Sequence, residues 1–322
     1  MVVALGGHAI VPHGAAGTAM TGARWFGTGT AAASVLVRDL LSGPMRAATV
    51  LAAGHAATYL EAGGRVLAIV SAGGVRLPCA AMLAVGGRLP AAGSQLAVGG
   101  GGVYEDGRRL VAVHRWFDPR VRLVGVDGRA VARFAHVMRS RGGVDTLLPD
   151  DAPDRLARGL GHSDAVGVAS ELLGRGTGLT PAGDDLVAGA LAALRALGSP
   201  AADELGAAVR ALAPAATTRL SAALLEAADV GGLVPEAANA LRALAGAGDV
   251  ETAAGRLVDL GHTSGWHLAA GLLVGVAHAG AGARDRAPAF ECDRFRGSRP
   301  PLRQRVGTGV VDTGVAGTGV AS

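Results

Sequence analysis

The stretch Gly174-Arg-Gly-Thr-Gly-Leu-Thr-Pro-Ala-Gly-Asp-Asp185 opens the most strongly helical part of the chain. Thr180 is a good N-cap residue and Pro181 suits the first helical position, so we expect a helix to begin here. Asp184 and Asp185 would then lie in the first turn, where the helix dipole favours negative charge. The glycines at 174, 176 and 178 allow backbone N–H groups to approach a ligand closely. A glycine-rich loop followed by a helix N-terminus is a generic anion site.

Two common phosphate-binding motifs do not fit this loop. A dinucleotide fingerprint would need glycine where Leu179 stands, and the segment before the loop has a helical pattern. A Walker loop needs a lysine, and the chain contains no lysine, which also excludes Schiff-base and catalytic lysines. The alternative is a well-capped helix behind a flexible loop. Because several special residues surround two adjacent carboxylates, we favour a functional site.

From Ala130 onward the apolar residues recur with helical spacing. The predicted helices are Val131–Ser140, Asp154–Leu160, Asp164–Leu173, Pro181–Leu197, Ala201–Leu212, Thr217–Ala228, Pro235–Ala245, Val250–Leu260 and Ser264–Ala279. Upstream, short runs that favour β-structure alternate with Gly and Pro turn signals. The predicted strands are Ala47–Ala53, His55–Ala62, Arg65–Ser71, Ala80–Val85, Gln95–Val98, Arg109–His114 and Val121–Val126, with a hairpin turn at Gly63-Gly64.

Strands followed by helices indicate an α+β protein with segregated domains. We predict an extension over 1–43 that is partly disordered, an antiparallel β-rich sandwich or barrel over 44–128, and an all-α domain over 129–280. Residues 281–322 are predicted to be a disordered, basic, low-complexity tail. This tail holds most of the formal net charge of +4, so the near-neutral body argues against nucleic-acid binding.

Composition favours a cytoplasmic protein in a reducing compartment. Cys79 and Cys292 are too few for a disulfide framework or a cysteine-built metal site. The start of the chain lacks the basic region of an export signal. The apolar stretch Leu268–Ala277 is well short of the roughly 20 residues that a spanning helix needs, so we expect no membrane association.

Two further segments are candidates for a site. In Gly261-His-Thr-Ser-Gly-Trp266, either Thr263 or Ser264 can cap the following helix, and Gly265 keeps its first turn open. The spacing of His262 and His267 does not match a zinc motif, so we predict no metal site from them. No cofactor is predicted either. In Thr217-Thr-Arg-Leu-Ser221, Thr218 and Ser221 lie three residues apart on one helical face, although such residues often only cap helices.

The helix starts at Thr180 and Thr263 are predicted to face one shared pocket, each contributing unpaired N–H groups and partial positive charge. Arg175 and His262 would supply mobile charge there. We also expect Asp184 and Asp185 to serve binding or catalysis more than folding.

Together, the motif ending in Gly-Leu-Thr-Pro-Ala-Gly-Asp-Asp185, the Thr218/Ser221 helix and the Gly261–Trp266 segment resemble the AllH-type family of oxamate carbamoyltransferase subunits, over about residues 45–280. Members more usually have proline where Thr177 stands, serine where Ala182 stands, and an acidic residue in place of His267. The resemblance implies carbamoyl exchange between phosphate and a small amide such as oxamate, in ureide nitrogen catabolism and with other subunits of a complex.

Applied to this chain, the resemblance implies a small anionic substrate such as carbamoyl phosphate, oxamate or a ureido acid. The candidate catalytic residues are Asp184, Asp185 and His262. The candidate substrate-binding residues are Arg175, Gly176, Gly178, Thr180, Gly183, Thr218, Ser221, Thr263, Ser264 and Gly265. The alternative is a non-catalytic subunit that binds a small anion or acts as a scaffold, with the catalytic groups on a partner.

Overall fold

In the computed structural model, which describes residues 28–141 and 148–282, the N-terminal strands close into a barrel. The neighbours around the barrel follow the order β1-β5-β4-β3-β2-β6-β7-β8. The strands are β1 (Gly29–Ser34), β2 (Arg46–Ala53), β3 (Ala57–Ala62), β4 (Arg65–Val70), β5 (Ala80–Leu83), β6 (Leu96–Gly99), β7 (Gly102–Glu105) and β8 (Arg108–Phe117). The expectations for residues 1–27 and for the tail from 283 onward lie outside the described residues.

The hairpin predicted at Gly63-Gly64 is confirmed. It joins β3 to β4, with Ala62 paired to Arg65, and both glycines have positive φ, at 58° and 76°. Positive φ at both central residues is the requirement of the type I′ turn that suits a twisted hairpin.

The barrel is mixed, which corrects the prediction of a purely antiparallel sheet. β1 runs parallel to β8, and β4 runs parallel to β5. The first pairing closes the barrel, because it joins its first and last strands. The second is possible because the chain between Val70 and Ala80 returns along the barrel before β5 begins.

Three boundaries differ from the prediction. Strand β1 belongs to the barrel, so the β-rich unit begins at Gly29 and not at residue 44. Strand β7 was not among the predicted strands; a Cβ on its first residue, Gly102, would lie 2.1 Å from the Val111 carbonyl oxygen, so β8 packs too closely there for a side chain. The segment predicted as a strand over Val121–Val126 forms none, because its N–H groups bond to the ends of helices, including Leu123 N–H to the Ala196 carbonyl at 2.8 Å.

The helices predicted downstream are present, and the α+β class is confirmed. A short helix α1 (Arg38–Ser42) lies between β1 and β2. The others are α2 (Gly128–Ser140), α3 (Ala152–Gly161), α4 (Ala165–Leu172), α5 (Ala182–Ala196), α6 (Ala201–Ala216), α7 (Arg219–Asp229), α8 (Pro235–Leu244), α9 (Val250–Val258) and α10 (Ser264–Gly282). Within the described ranges, no helix has both the length and the apolar character needed to cross a membrane.

Helices α5 and α10 form the centre of the helical region through backbone contact at glycines. A Cβ on Gly189 would lie 2.3 Å from the Leu268 carbonyl oxygen, and one on Gly271 would lie 2.0 Å from the Leu186 carbonyl oxygen. Further along, a Cβ on Gly275 would lie 2.5 Å from the Ala190 carbonyl oxygen. Residue numbers rise together along both helices, so the two run parallel and begin at the same end.

Helix α7 connects this centre to the barrel. The Arg219 guanidinium at its start forms an ion pair with Glu61 on β3. Near its end, a Cβ on Gly232 would lie 2.7 Å from a methyl group of Leu36. The barrel therefore lies along α7 and pairs with its N-terminus through Glu61.

Substituting Gly271 by alanine is expected to lower the free energy of unfolding by about 1–3 kcal/mol, because the added methyl group would force the two helices apart. Gly280→Ala is the matched control on the same helix, since a Cβ there meets no atom within 4 Å. Urea unfolding of both variants tests this. Equal stability of the two variants would contradict the close contact of α5 with α10.

Candidate functional site

The two predicted helix starts meet in the structure. The Thr180 hydroxyl, just before α5, lies 3.3 Å from the Ser264 hydroxyl, which begins α10, and both residues are buried. Because α5 and α10 run parallel, the positive ends of their dipoles lie side by side. This arrangement places two partial positive charges close together. The positive potential there is therefore stronger than either helix end alone would produce.

The loop before α5 has the backbone conformation of an anion-binding nest. Gly174, Gly176 and Gly178 have φ values of 75°, 118° and 90°, whereas Arg175 and Thr177 between them do not have positive φ. Such an alternation turns successive N–H groups toward one side of the chain. Within the part of the chain that the structure describes, the N–H groups of residues 176–179 donate no hydrogen bond.

Asp184 connects this loop to α7. One carboxylate oxygen accepts a hydrogen bond from the Gly174 N–H at 2.7 Å. The other accepts from the Ser221 hydroxyl at 2.6 Å and from the Thr217 hydroxyl. Asp184 is 1% exposed, and these three donors satisfy its buried charge. The geometry therefore gives Asp184 an anchoring role in the folded chain.

Asp185 points in a different direction, because successive helical residues are about 100° apart around the axis. It is 4% exposed, and its partner Ser264 is the first residue of α10. Burial raises the pKa of Asp185 to about 6; a hydrogen bond from Ser264 lowers it, and the charge of Asp184 raises it. A carboxyl group with such a pKa changes its protonation state close to neutral pH, which is what general acid–base chemistry requires.

Thr218 and Ser221 also lie against the glycine loop. The Thr218 hydroxyl accepts from the Ser221 N–H at 3.1 Å as the N-cap of α7. It also donates to the Leu179 carbonyl at 2.6 Å. The hydroxyl-bearing start of α7 thus supports the loop from the side of the barrel, and the third predicted segment joins the other two.

Other predicted site residues serve packing or face solvent. A Cβ on Gly183 or on Gly265 would lie 2.0 Å from a neighbouring carbonyl oxygen, so both glycines permit close backbone contact. Arg175 is exposed, and its guanidinium Nε donates to the Glu171 carbonyl at 3.1 Å. His262 is exposed on the turn between α9 and α10. Among the described residues, no hydrogen bond or ion pair joins the Arg175 or His262 side chain to Thr180, Ser264 or the carboxylates.

Two residues of this region were not among the predicted site residues. Thr217, beside the predicted cap, donates to Asp184. His267 is 2% exposed, with its ring against the first turn of α10 and its Nδ1 2.9 Å from the Thr263 carbonyl. The four-residue spacing from Thr263 to His267 is the signal that could have revealed this contact. The described residues contain no group of three or more His, Cys, Asp or Glu side chains arranged to hold a metal ion.

Because Asp184 anchors the loop, we expect Asp184→Asn to destabilise the folded protein. From the sequence, Asp184 is expected to serve binding or catalysis more than folding. An amide would present an N–H₂ group where the carboxylate accepts hydrogen bonds. The free energy of unfolding should fall by about 1–3 kcal/mol. Denaturant unfolding at pH 7 measures this, with Asp203→Asn, at an exposed carboxylate, as the control. Unchanged stability of Asp184→Asn would refute the anchoring role.

Asp185→Asn is expected to stabilise the protein at neutral pH. Because folding raises the pKa of Asp185 from 3.8 to about 6, ionising it costs stability as the pH rises through this interval. The melting temperature of the variant relative to the wild type should therefore rise between pH 4 and pH 7. Thermal unfolding across this range checks the sign, and a difference that does not vary with pH would contradict it.

A comparison with known protein families gives a match that falls on this site. Residues 172–276 match the family model described as oxamate carbamoyltransferase subunit AllH. Neither a curated protein nor a solved structure matches the chain. The matched segment runs from the end of α4 through most of α10, so it contains the glycine loop, Asp184, Asp185 and Ser264. Over residues 172–276 the chain is therefore similar to the AllH family, and the resemblance found in the sequence is confirmed there.

Proposed function

We propose that this chain is a carbamoyltransferase subunit that exchanges a carbamoyl group between phosphate and a small amide such as oxamate, in ureide catabolism. The observation that carries the proposal is the contact of Thr180 with Ser264, at 3.3 Å between hydroxyl oxygens, inside the segment that matches the AllH family. This contact brings two helix N-termini together beside the glycine loop, an arrangement that would suit a small anion.

The chemistry of the reactants suits such an arrangement. Carbamoyl phosphate and oxamate are both small anions, and the N–H groups of residues 176–179 can donate to phosphate or carboxylate oxygens. The same donors would stabilise the negative charge that develops on the carbamoyl oxygen during transfer. Holding both reactants on one rigid surface also lowers the entropic part of the barrier.

Asp185 is the group we assign to proton transfer. In one direction, the amide nitrogen of oxamate forms a bond to the carbamoyl carbon, the carbon–oxygen bond to phosphate breaks, and phosphate leaves with the electron pair. The nitrogen gives up its proton to the Asp185 carboxylate. In the reverse direction, a phosphate oxygen attacks the same carbon, and Asp185 returns the proton to the departing nitrogen.

A non-catalytic anion-binding subunit is the second candidate, and one observation favours it. Asp184 already accepts three hydrogen bonds within the chain, and Arg175 and His262 face solvent. The buried site thus offers Asp185 and neutral donors. In this second candidate, a partner subunit would supply the other charged groups that the reaction needs.

The test runs the reverse reaction with the purified protein. Oxalurate, which is oxamate carbamoylated at its nitrogen, is mixed with inorganic phosphate, and the carbamoyl phosphate formed is measured by ³¹P NMR. The protein is assayed alone and with the proteins encoded beside it. Asp185→Asn should reduce kcat at least about 100-fold, the usual contribution of a general base. Asp203→Asn, at the exposed carboxylate paired with Arg195, should retain wild-type rates.

Binding is measured separately from turnover by thermal shift with phosphate and with oxamate. A ligand at about one hundred times its Kd stabilises the folded protein by about 2.7 kcal/mol. Binding with turnover only in the presence of partners would support the second candidate. Neither binding nor turnover in any combination would reject both.

A further inference from the structure

We propose that His267 is a positioning residue of this site: its imidazole holds the Thr263 carbonyl, and thereby directs the Ser264 hydroxyl toward Thr180 and Asp185. Its relevance to turnover rests on the proposed function, whereas its effect on Asp185 does not. His267 is a buried titratable side chain that the proton transfer described above does not use.

The hydrogen bond fixes the state of the ring. The Thr263 carbonyl can only accept, so the ring nitrogen 2.9 Å away, Nδ1, carries the proton. Burial lowers the pKa of His267, which keeps the imidazole neutral near pH 7. The Trp266 ring lies edge-on, with the two ring centroids 5.2 Å apart, and restricts the imidazole further.

The hydrogen bond from the His267 ring closes the first turn of α10 together with a main-chain bond, and it is the shorter of the two. The main-chain bond from the His267 N–H to the same carbonyl is long, at 3.3 Å. On the other side, Gly265 packs against α9, where a Cβ would lie 2.0 Å from the Leu257 carbonyl oxygen. The turn that carries Ser264 is therefore held by the His267 ring on one side and by backbone contact on the other.

Ser264 transmits this restraint to Asp185. Its hydroxyl lies 3.3 Å from that of Thr180, and its hydrogen bond to Asp185 favours the carboxylate form. Asp184, on the same helix, is the neighbouring charged group among the described residues, and it opposes ionisation. If the turn loosens and the Ser264 hydroxyl moves away, Asp185 loses a donor and should ionise at a higher pH.

The test is the ¹³C NMR titration of the Asp185 carboxyl group in full-length protein labelled at aspartate, assigned with Asp185→Asn. His267→Phe keeps a ring against Trp266 but removes the donor. We expect its Asp185 midpoint to rise by about half a pH unit or more, as in Ser264→Ala. His267→Asn, whose amide N–H can replace that of Nδ1, should restore the wild-type midpoint.

The double variant His267→Phe/Ser264→Ala tests whether His267 acts on Asp185 through Ser264. If His267 acts through Ser264, the double variant should shift the midpoint no further than Ser264→Ala alone. His278→Leu, at a half-buried histidine further along the same helix, is the control and should leave the midpoint unchanged. If His267→Phe does not fold, His267→Leu takes its place in both comparisons.

An unchanged midpoint in His267→Phe, or shifts that add in the double variant, would overturn the proposal, because His267 would then contribute to packing alone. If the wild type turns over oxalurate, His267→Phe and Ser264→Ala should lower kcat by the same factor, with recovery in His267→Asn. Absence of turnover in the wild type would reject the proposed function and leave the NMR result to decide the role of His267.

Discussion

The backbone contact between α5 and α10 is the constraint on which the rest of the structure depends. Gly189, Gly271 and Gly275 lie so close to the opposite helix that any side chain would collide with a carbonyl oxygen. Helices at this distance have one relative position, since sliding or rotating either helix would bring larger residues into the contact. Their starts are thereby fixed at the same end of the helical region.

Parallel packing of α5 and α10 is electrostatically unfavourable at their N-termini, and nearby carboxylates offset this. Two adjacent helix N-termini repel each other through their partial positive charges, and negative charge beside them is stabilising. Asp184 and Asp185 supply that charge in the first turn of α5 and then diverge. Asp184 is saturated by donors from the loop and from α7, whereas Asp185 lies toward α10 and has a raised pKa. Adjacent in sequence, the two residues thus have separate tasks.

The barrel supports this arrangement from outside. Its ion pair between Glu61 and Arg219 holds the start of α7, where Thr217, Thr218 and Ser221 contact Asp184 and the glycine loop. A displacement of the barrel along α7 would reach the loop through these hydroxyl groups. The site therefore depends on three segments that are far apart in sequence, and each of them contributes a helix start.

The sequence by itself determined the class of the fold, nearly all helices and most strands, because spacing of apolar residues and turn chemistry are local properties. It also identified the three segments of the site, since Thr180, Thr218 and Ser264 are hydroxyl residues at or next to helix starts. The cap at Thr218 forms, whereas the N-cap predicted at Thr180 is wrong, because α5 begins after Pro181 without a side-chain cap. The sequence did not predict the parallel strand pairs of the barrel, because strand direction depends on how the first and last strands meet. The different orientations of Asp184 and Asp185, and the burial of His267 beside exposed His262, were decided by tertiary structure alone. Which side of a helix is covered depends on the neighbours that pack against it, and those neighbours are set by contacts between residues distant in the chain.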